Sequence, residues 1–208
     1  MQPVWVATGE SRQAAAKRVS RMAYALQFSR TNVPGRKNPQ DFTREAFADL
    51  IVERHKDYFI ANNTRSQVPN EIQKVIVFSE KHHDNSVHLY AGILCAKPYA
   101  IEAIMALLRE RDNVYCSFSA SHDNFWTIIV YGAVPSIHKA PEEIDQNPYH
   151  STGKTVREEL AEIPRSARRY DKERVQTFLG AGVARAPAKR QRAARMDLEA
   201  CAYLSHHL

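Results

Sequence analysis

A carboxylate, an imidazole and a phenol lie close together in one apolar segment of the chain. Residues 75–94 read VIVFSEKHHDNSVHLYAGIL, two apolar runs separated by a polar stretch. Side chains alternate across a strand, so Glu80 belongs to one face of the first run, and His88 and Tyr90 share a face of the second. Carboxylate and imidazole donors suit a divalent cation such as Mg²⁺ or Mn²⁺, so this pattern indicates a metal site.

The two runs predict a hairpin whose register brings the candidate ligands together. Asp84 and Asn85 are residues that turns favour. With the turn centred on Asp84, Glu80 lies opposite His88, and directly opposed side chains are about 5 Å apart. The same spacing is compatible with a surface hairpin whose polar side chains merely face water, so both interpretations stay open.

The neighbouring segments predict the strands and helices that would position this hairpin. In chain order they are a strand at 23–29, a helix at 41–60 with Asp41 as its cap, the two hairpin strands, a helix starting near Pro98 with Ile101, Ile104, Met105 and Leu108 on one side, and a strand at 114–119. This βαββαβ order is typical of a ferredoxin-like fold, so we expect an α+β class with a central antiparallel sheet.

The rest of the chain gives weaker signals. Residues 123–133 (DNFWTIIVYGA) fit either a strand or a short helix capped by Asp123. Further helices are expected near 156–163, 172–179 and 196–208. We expect one folded domain at 1–150 and a basic, partly helical extension at 151–208. His122 lacks the spacing of a zinc ligand and is expected to be a cap or surface residue.

Composition limits the class of protein. Hydrophobic residues make up 44% of the 208 positions, as expected of a globular chain. No stretch approaches the ~20 apolar residues of a membrane span, and no secretory leader is expected at the start. The cysteines are Cys95, Cys116 and Cys201, without a CxxC pair, so we expect a reducing, intracellular location.

The positive charge is concentrated towards the end of the chain. Residues 165–195 hold ten Lys or Arg against two acidic residues, a net charge of +8, so the remainder carries −2 of the total of +6. Such a segment can neutralise phosphates, although a solvated linker without a specific partner has the same composition. KRQRAAR also resembles a nuclear-import patch. The candidate DNA-binding residues are Arg165, Arg168, Arg169, Lys189, Arg190 and Arg192.

SVHLYAGIL after FSEKHH resembles the central motif of the HUH (Rep-type) endonucleases, in which a His, an apolar residue and a second His or Gln lie on a strand near an acidic ligand. Residues 97–139, including NFWTIIVYGAVPSIHK, are similar to the single-domain HUH transposases of the eukaryotic transposons called Replitrons. The resemblance covers residues 24–149 and depends on the ordered set Glu80, His88, Tyr131 and Lys139.

The resemblance implies a metal-dependent endonuclease and strand transferase that acts on single-stranded DNA in transposition. Tyr131 would attack a DNA phosphate, giving a 5′-phosphotyrosyl enzyme and a free 3′-hydroxyl, while Lys139 adds positive charge. Tyr203, on the last predicted helix, is the alternative nucleophile. Transposon ends, hairpins included, would be the partner, and the oligomeric state stays open, a homodimer included.

The chain departs from the family pattern at Tyr90, where a second His is expected. A phenol has a pKa near 10 and is a poor ligand for Mg²⁺ unless ionised. The cation would then rest on Glu80 and His88 with water or substrate oxygens, and Tyr90 or His82 could complete the set. The alternative function is a non-catalytic nucleic-acid-binding module of the same fold, either domesticated or RNA-binding.

Overall fold

The computed structural model describes residues 5–7, 21–62, 70–81, 86–119, 121–122, 124–137, 139–145 and 147–180. Within these residues the strands are β1 Trp5–Ala7, β2 Arg21–Phe28, β3 Ile72–Lys81, β4 Val87–Tyr99, β5 Cys116–Ser119 and β6 Tyr149–His150. The α-helices are α1 Arg44–Asn62, α2 Glu102–Asp112, α3 Phe125–Ala133, α4 Val156–Ala161 and α5 Arg169–Gly180, and short 3₁₀ helices occupy Pro39–Asp41 and Pro141–Glu143.

The predicted α+β class and central antiparallel sheet are confirmed. The strands form one sheet in the order β1-β5-β2-β4-β3-β6, and each neighbouring pair is antiparallel. From 21 to 119 the elements follow the predicted order of strand, helix, two strands, helix and strand. None of the described helices is long and apolar enough to cross a membrane.

The sheet separates two apolar cores. On one face, Tyr24, Leu26 and Phe28 of β2 are fully buried in the core that includes residues of α1 and α2. On the other face, α3, α4 and α5 contribute to the core over the alternate residues of the same strands. Leu160 of α4 and Val175 of α5 are completely buried there, so part of the predicted extension packs on the sheet's second face.

Helix α3 packs directly on the sheet because glycines occupy the points of contact. A Cβ added to Gly92 of β4 would lie 2.7 Å from Ile128 Cγ2, and one added to Gly132 would lie 2.6 Å from the Phe78 ring. Asn124 caps the helix, its side chain accepting a hydrogen bond from Thr127 N at 2.9 Å. The ambiguous segment is therefore helical, and the cap predicted at position 123 lies outside the described residues.

Helices α1 and α2 begin later than predicted. Helix α1 starts at Arg44, because Asp41 ends a 3₁₀ turn and accepts a hydrogen bond from Asn38 N at 2.7 Å. Its first turn is satisfied instead by Thr43, whose Oγ1 accepts from Ala46 N at 3.0 Å.

Helix α2 starts at Glu102 rather than near Pro98, which lies in strand β4. The strand continues past Pro98 because Tyr99 pairs with Arg21 and its carbonyl accepts a hydrogen bond from the Tyr24 hydroxyl. The apolar face predicted for α2 is confirmed, and its buried residues include Ile104, Met105 and Leu108. The helix expected near 172–179 is α5, and the one near 156–163 is α4. The helix predicted at 196–208 lies outside the described residues.

Candidate functional site

The β3–β4 hairpin places the predicted acid and imidazole opposite each other. Glu80 pairs directly with His88 in the strand register, as the sequence predicts. Alternation along the two strands puts both side chains on the α3 face, the face that also carries Phe78 and Tyr90. The hairpin turn, with His82, lies outside the described residues.

Strand β2 and the residue that follows it add two polar groups that the sequence analysis missed. Gln27 Nε2 is 2.8 Å from His88 Nδ1, and Ser29 Oγ is 3.1 Å from the same atom. These contacts orient the His88 ring through Nδ1, and the tautomer that carries its proton on Nδ1 is the one whose Nε2 can bind a cation. Sequence spacing gave no signal for this contact, because 61 positions separate Gln27 from His88.

Tyr90 is packed under α3. It is 1% exposed, and its hydroxyl donates to the Ile128 carbonyl at 3.3 Å. Burial, with a smaller contribution from the Glu80 carboxylate, raises the pKa of Tyr90 well above its usual value of 10. A protonated phenol held in this way is a weak donor to a hard cation.

Tyr131 lies on the side of α3 that faces the polar end of the sheet. Its ring centroid is 5.1 Å from that of Tyr90, and it is partly exposed. Burial and then the nearby Glu80 carboxylate raise the pKa of Tyr131 to about 12. The phenol is therefore protonated at neutral pH, and ionising it in a reaction needs a proton acceptor.

Lys139 joins the acid to the helix that carries Tyr131. Its Nζ forms an ion pair with Glu80 and donates to the carbonyls of Tyr131 and Gly132 at 3.2 and 3.1 Å. These carbonyls belong to the last turn of α3, where no N–H group of the helix is available to donate to them. The negative end of the helix dipole at this turn also favours a nearby cation. Nζ also lies 5.1 Å from the centre of the Tyr131 ring.

A second cation holds the end of α3 from the extension. Arg174 of α5 donates to the carbonyls of Val134 and Pro135 at 2.7 and 3.0 Å. Its guanidinium is also 3.5 Å from Asp171 of the same helix. The position of the helix end that follows Tyr131 thus depends on α5 as well as on the sheet.

His122 is a further residue that the sequence analysis assigned to the surface or to a cap. Its ring centroid is 5.0 Å from that of Tyr131, and Nδ1 is 2.7 Å from Ser119 Oγ. His122 lies between β5, which ends at Ser119, and α3, which begins at Phe125. A histidine after a strand is too common a pattern to predict this.

The predicted DNA-binding residues are only partly described. Arg165, Arg168 and Arg169 are exposed around the start of α5, and Arg169 pairs with Glu173 at 2.8 Å. The remaining predicted contacts, Lys189, Arg190 and Arg192, and the alternative nucleophile Tyr203 lie outside the described residues.

The donor set for a cation consists of two side chains. Among the described residues no three His, Cys, Asp or Glu groups gather as a metal site. Glu80 and His88 alone match a hard cation that keeps several waters or substrate oxygens, the usual case for Mg²⁺. A cation there would have to share the Glu80 carboxylate with Lys139.

The site is thus a row of polar groups on the α3 face of the sheet. Glu80, His88 and Gln27 come from three adjacent strands, and Tyr131 and Lys139 lie on and after the helix that covers them. Comparison of the chain with protein-family models, curated proteins and solved structures finds no match.

Proposed function

We propose that this chain nicks and rejoins single-stranded DNA with Tyr131 as the nucleophile, on a ferredoxin-like core of the HUH type, as transposition requires. The observation that carries the proposal is the contact between Lys139, the Glu80 carboxylate and the Tyr131 segment of α3, over the face that holds His88. The order of elements from 21 to 119 and the antiparallel sheet support the core.

In the proposed reaction Tyr131 Oη loses its proton and bonds to the phosphorus of the scissile phosphate. The bond from phosphorus to the 3′ oxygen breaks, and that oxygen takes a proton to become a free 3′-hydroxyl. The phosphotyrosyl bond conserves the energy of the phosphodiester, so a second 3′-hydroxyl can later attack it and rejoin the strand. Mg²⁺ or Mn²⁺, held by Glu80 and His88, would supply Lewis-acid stabilisation of the phosphate oxygens.

The side chains of the site have separate roles in this proposal. Lys139 fixes the last turn of α3, and its ammonium adds positive charge next to the Tyr131 ring. Gln27 and Ser29 hold the His88 ring through Nδ1. The exposed Arg165 and Arg168, with the basic residues beyond 180, would bind the DNA backbone through its phosphates.

A covalent adduct on a denaturing gel tests the proposal. The full chain is incubated with Mn²⁺ and a pool of labelled single-stranded oligonucleotides of random and hairpin-forming sequence. We expect a labelled band at the mass of the protein plus DNA that resists boiling in detergent. Tyr131→Phe keeps the ring that packs on Tyr90 and should abolish the band, whereas Tyr203→Phe should retain it.

Two results would overturn this proposal. Loss of the band in Tyr203→Phe but not in Tyr131→Phe would assign the nucleophile to the last segment of the chain. Retention by both single variants would place the covalent bond on another residue.

A second candidate function is supported by the ion pair itself. Lys139 already neutralises Glu80, and burial keeps the Tyr131 phenol protonated, as in a site that binds nucleic acid without cutting it. Tight, salt-sensitive binding of the pool with no adduct at any Mn²⁺ concentration would favour this binding module.

A further inference from the structure

The ring of His122 lies beside the proposed nucleophile. Its centroid is 5.0 Å from that of Tyr131 with an interplanar angle of 54°, and Tyr90 lies 5.1 Å from Tyr131. A phenol between a second phenol and an imidazole has one neighbour with a ring nitrogen that can accept a proton.

The position of His122 is set by a buried hydroxyl. Ser119 is 0% exposed, its Oγ is 2.7 Å from His122 Nδ1, and it accepts a hydrogen bond from Ser121 N at 3.2 Å. The His122 carbonyl accepts from Arg21 Nη1 at 3.3 Å. The ring and the backbone of His122 are therefore both held by hydrogen bonds. A histidine that only faced solvent after a strand would not require these contacts.

The carboxylate of the site is less suited to accept this proton. Glu80 is engaged by Lys139, and its negative charge raises the pKa of Tyr131 further. A neutral imidazole imposes no such penalty on the phenol before transfer. In the tautomer whose Nδ1–H donates to Ser119 Oγ, Nε2 of the same ring carries no proton and can accept one.

We propose that His122 is the catalytic base of the nicking step, an assignment that rests on the proposed function. The proton of Tyr131 Oη passes to His122 Nε2 as Oη bonds to phosphorus and the bond to the 3′ oxygen breaks. The 3′ oxygen takes a proton from solvent, and the imidazolium releases one to solvent. In the rejoining step the attacking 3′-hydroxyl gives its proton to solvent, and the ring takes up a proton from solvent and passes it to Tyr131 Oη as the bond from Oη to phosphorus breaks.

The rate of adduct formation against pH tests this assignment. His122→Asn keeps a donor near the position of Nδ1 and removes Nε2. We expect it to slow adduct formation at pH 7 by about 10² to 10⁴-fold while leaving binding of single-stranded DNA unchanged. As the pH rises, the wild-type rate of adduct formation should level off once the His122 base is fully deprotonated. The rate of the variant should keep rising with pH towards ionisation of the phenol.

The ionisable groups around His122 define the controls. Within the part of the chain that the structure describes, they include Tyr131 of α3 and Arg21 of β2, and Tyr131 in turn lies near Tyr90, Glu80 and Lys139. The rate of Arg21→Gln should level off with pH as the wild-type rate does, because Arg21 Nη1 donates to the His122 carbonyl and not to its ring. Added imidazole should restore part of the rate to His122→Gly, which a purely structural role would not allow.

The outcomes separate the two proposals. An adduct that His122→Asn forms at the wild-type rate, with the wild-type pH profile, would overturn the role of His122 and leave Tyr131 as nucleophile. Absence of any adduct from the wild-type chain would overturn both. If the variants fail to fold, the wild-type profile decides, since a rate that keeps rising with pH towards ionisation of the phenol, with no earlier levelling-off, would contradict an imidazole base.

Discussion

Lys139 and Glu80 form an ion pair with little access to water, their side chains being 10% and 14% exposed. The pair joins the β3 edge of the polar row to the end of α3. Removing one charge from such a pair leaves the other uncompensated, whereas removing both is far less harmful.

We therefore expect Lys139→Met to lower the free energy of unfolding by about 3 kcal/mol, measured by urea denaturation. The double variant Glu80→Gln with Lys139→Met should recover most of the loss. Lys81→Met, at the exposed end of β3, is the matched control and should change stability by less than about 0.5 kcal/mol. A double variant no more stable than the single would contradict a direct pairing.

Binding of Mn²⁺ should compete with the same ion pair. If Glu80 and His88 hold the cation, Glu80→Gln and His88→Asn should each weaken Mn²⁺ binding at least tenfold, measured by electron paramagnetic resonance of free Mn²⁺. Lys139→Gln should strengthen it, because the carboxylate then has no competing ammonium. Glu142→Gln, an exposed acid, is the control. A wild-type affinity for Mn²⁺ in all four variants would argue against this site.

Gly132→Ala should weaken the packing of α3 on the sheet and lower the free energy of unfolding. Its Cβ would lie 2.6 Å from the ring of Phe78, which is fully buried, so overpacking should outweigh the better helix propensity of Ala. We expect a loss of about 1–3 kcal/mol in thermal or urea unfolding. Gly180→Ala, with nothing within 4 Å, should be neutral. Phe78→Leu should raise the stability of the Gly132→Ala variant, because the smaller side chain makes room for the added Cβ. In the wild type the same change should not raise stability.

Stability should fall as the pH drops below about 6.5, because of His55. Burial lowers the pKa of His55 to about 4, and its ring packs on Phe59 at 4.6 Å between centroids. Between these two values the unfolded chain binds a proton that the folded chain does not, so the free energy of unfolding decreases as pH falls.

The expected loss from pH 6.5 to 4 is roughly 3 kcal/mol from this residue. His55→Leu should flatten that part of the pH profile, measured by urea unfolding at each pH. His150, whose pKa burial also lowers, contributes in the same direction and serves as a comparison through His150→Gln. An unchanged profile in His55→Leu would show that His55 takes up its proton in the folded state.

Binding to single-stranded DNA should depend on salt through the arginines before α5. Each phosphate contact contributes a slope of about −0.7 in log K against log salt, so Arg165→Gln and Arg168→Gln should each reduce the slope by about that amount. Arg109→Gln, on α2 across the sheet, should leave it unchanged. Slopes that stay identical in all the variants would place the phosphate contacts elsewhere.

The sequence predicted the hairpin because two local rules agree there. Alternation of apolar residues and a polar turn fixed the register that puts Glu80 opposite His88. The predicted start of α2 was wrong because proline is favoured both in the first turn of a helix and near a strand end. The pairing of Tyr99 with Arg21 keeps Pro98 in the strand.

Other parts of the site could not be predicted from local pattern. The segment with Tyr131 fits strand and helix alike, and its helical form depends on the Asn124 cap and on the close contact of Gly132 with Phe78. Gln27 and His122 reach the site through contacts between elements far apart in the chain. Their types are too common at such positions to stand out.

The packing of α4 and α5 on the second face of the sheet affects how this protein can be divided for expression. The Trp126 indole donates to the Leu160 carbonyl at 3.3 Å, and Leu160 and Val175 are fully buried beside it. A fragment that stopped at residue 150 would lack Leu160 and Val175, would expose Trp126 and its apolar neighbours on α3 to solvent, and would be prone to aggregate. Fragments for crystallisation or labelling should therefore retain the chain through Gly180.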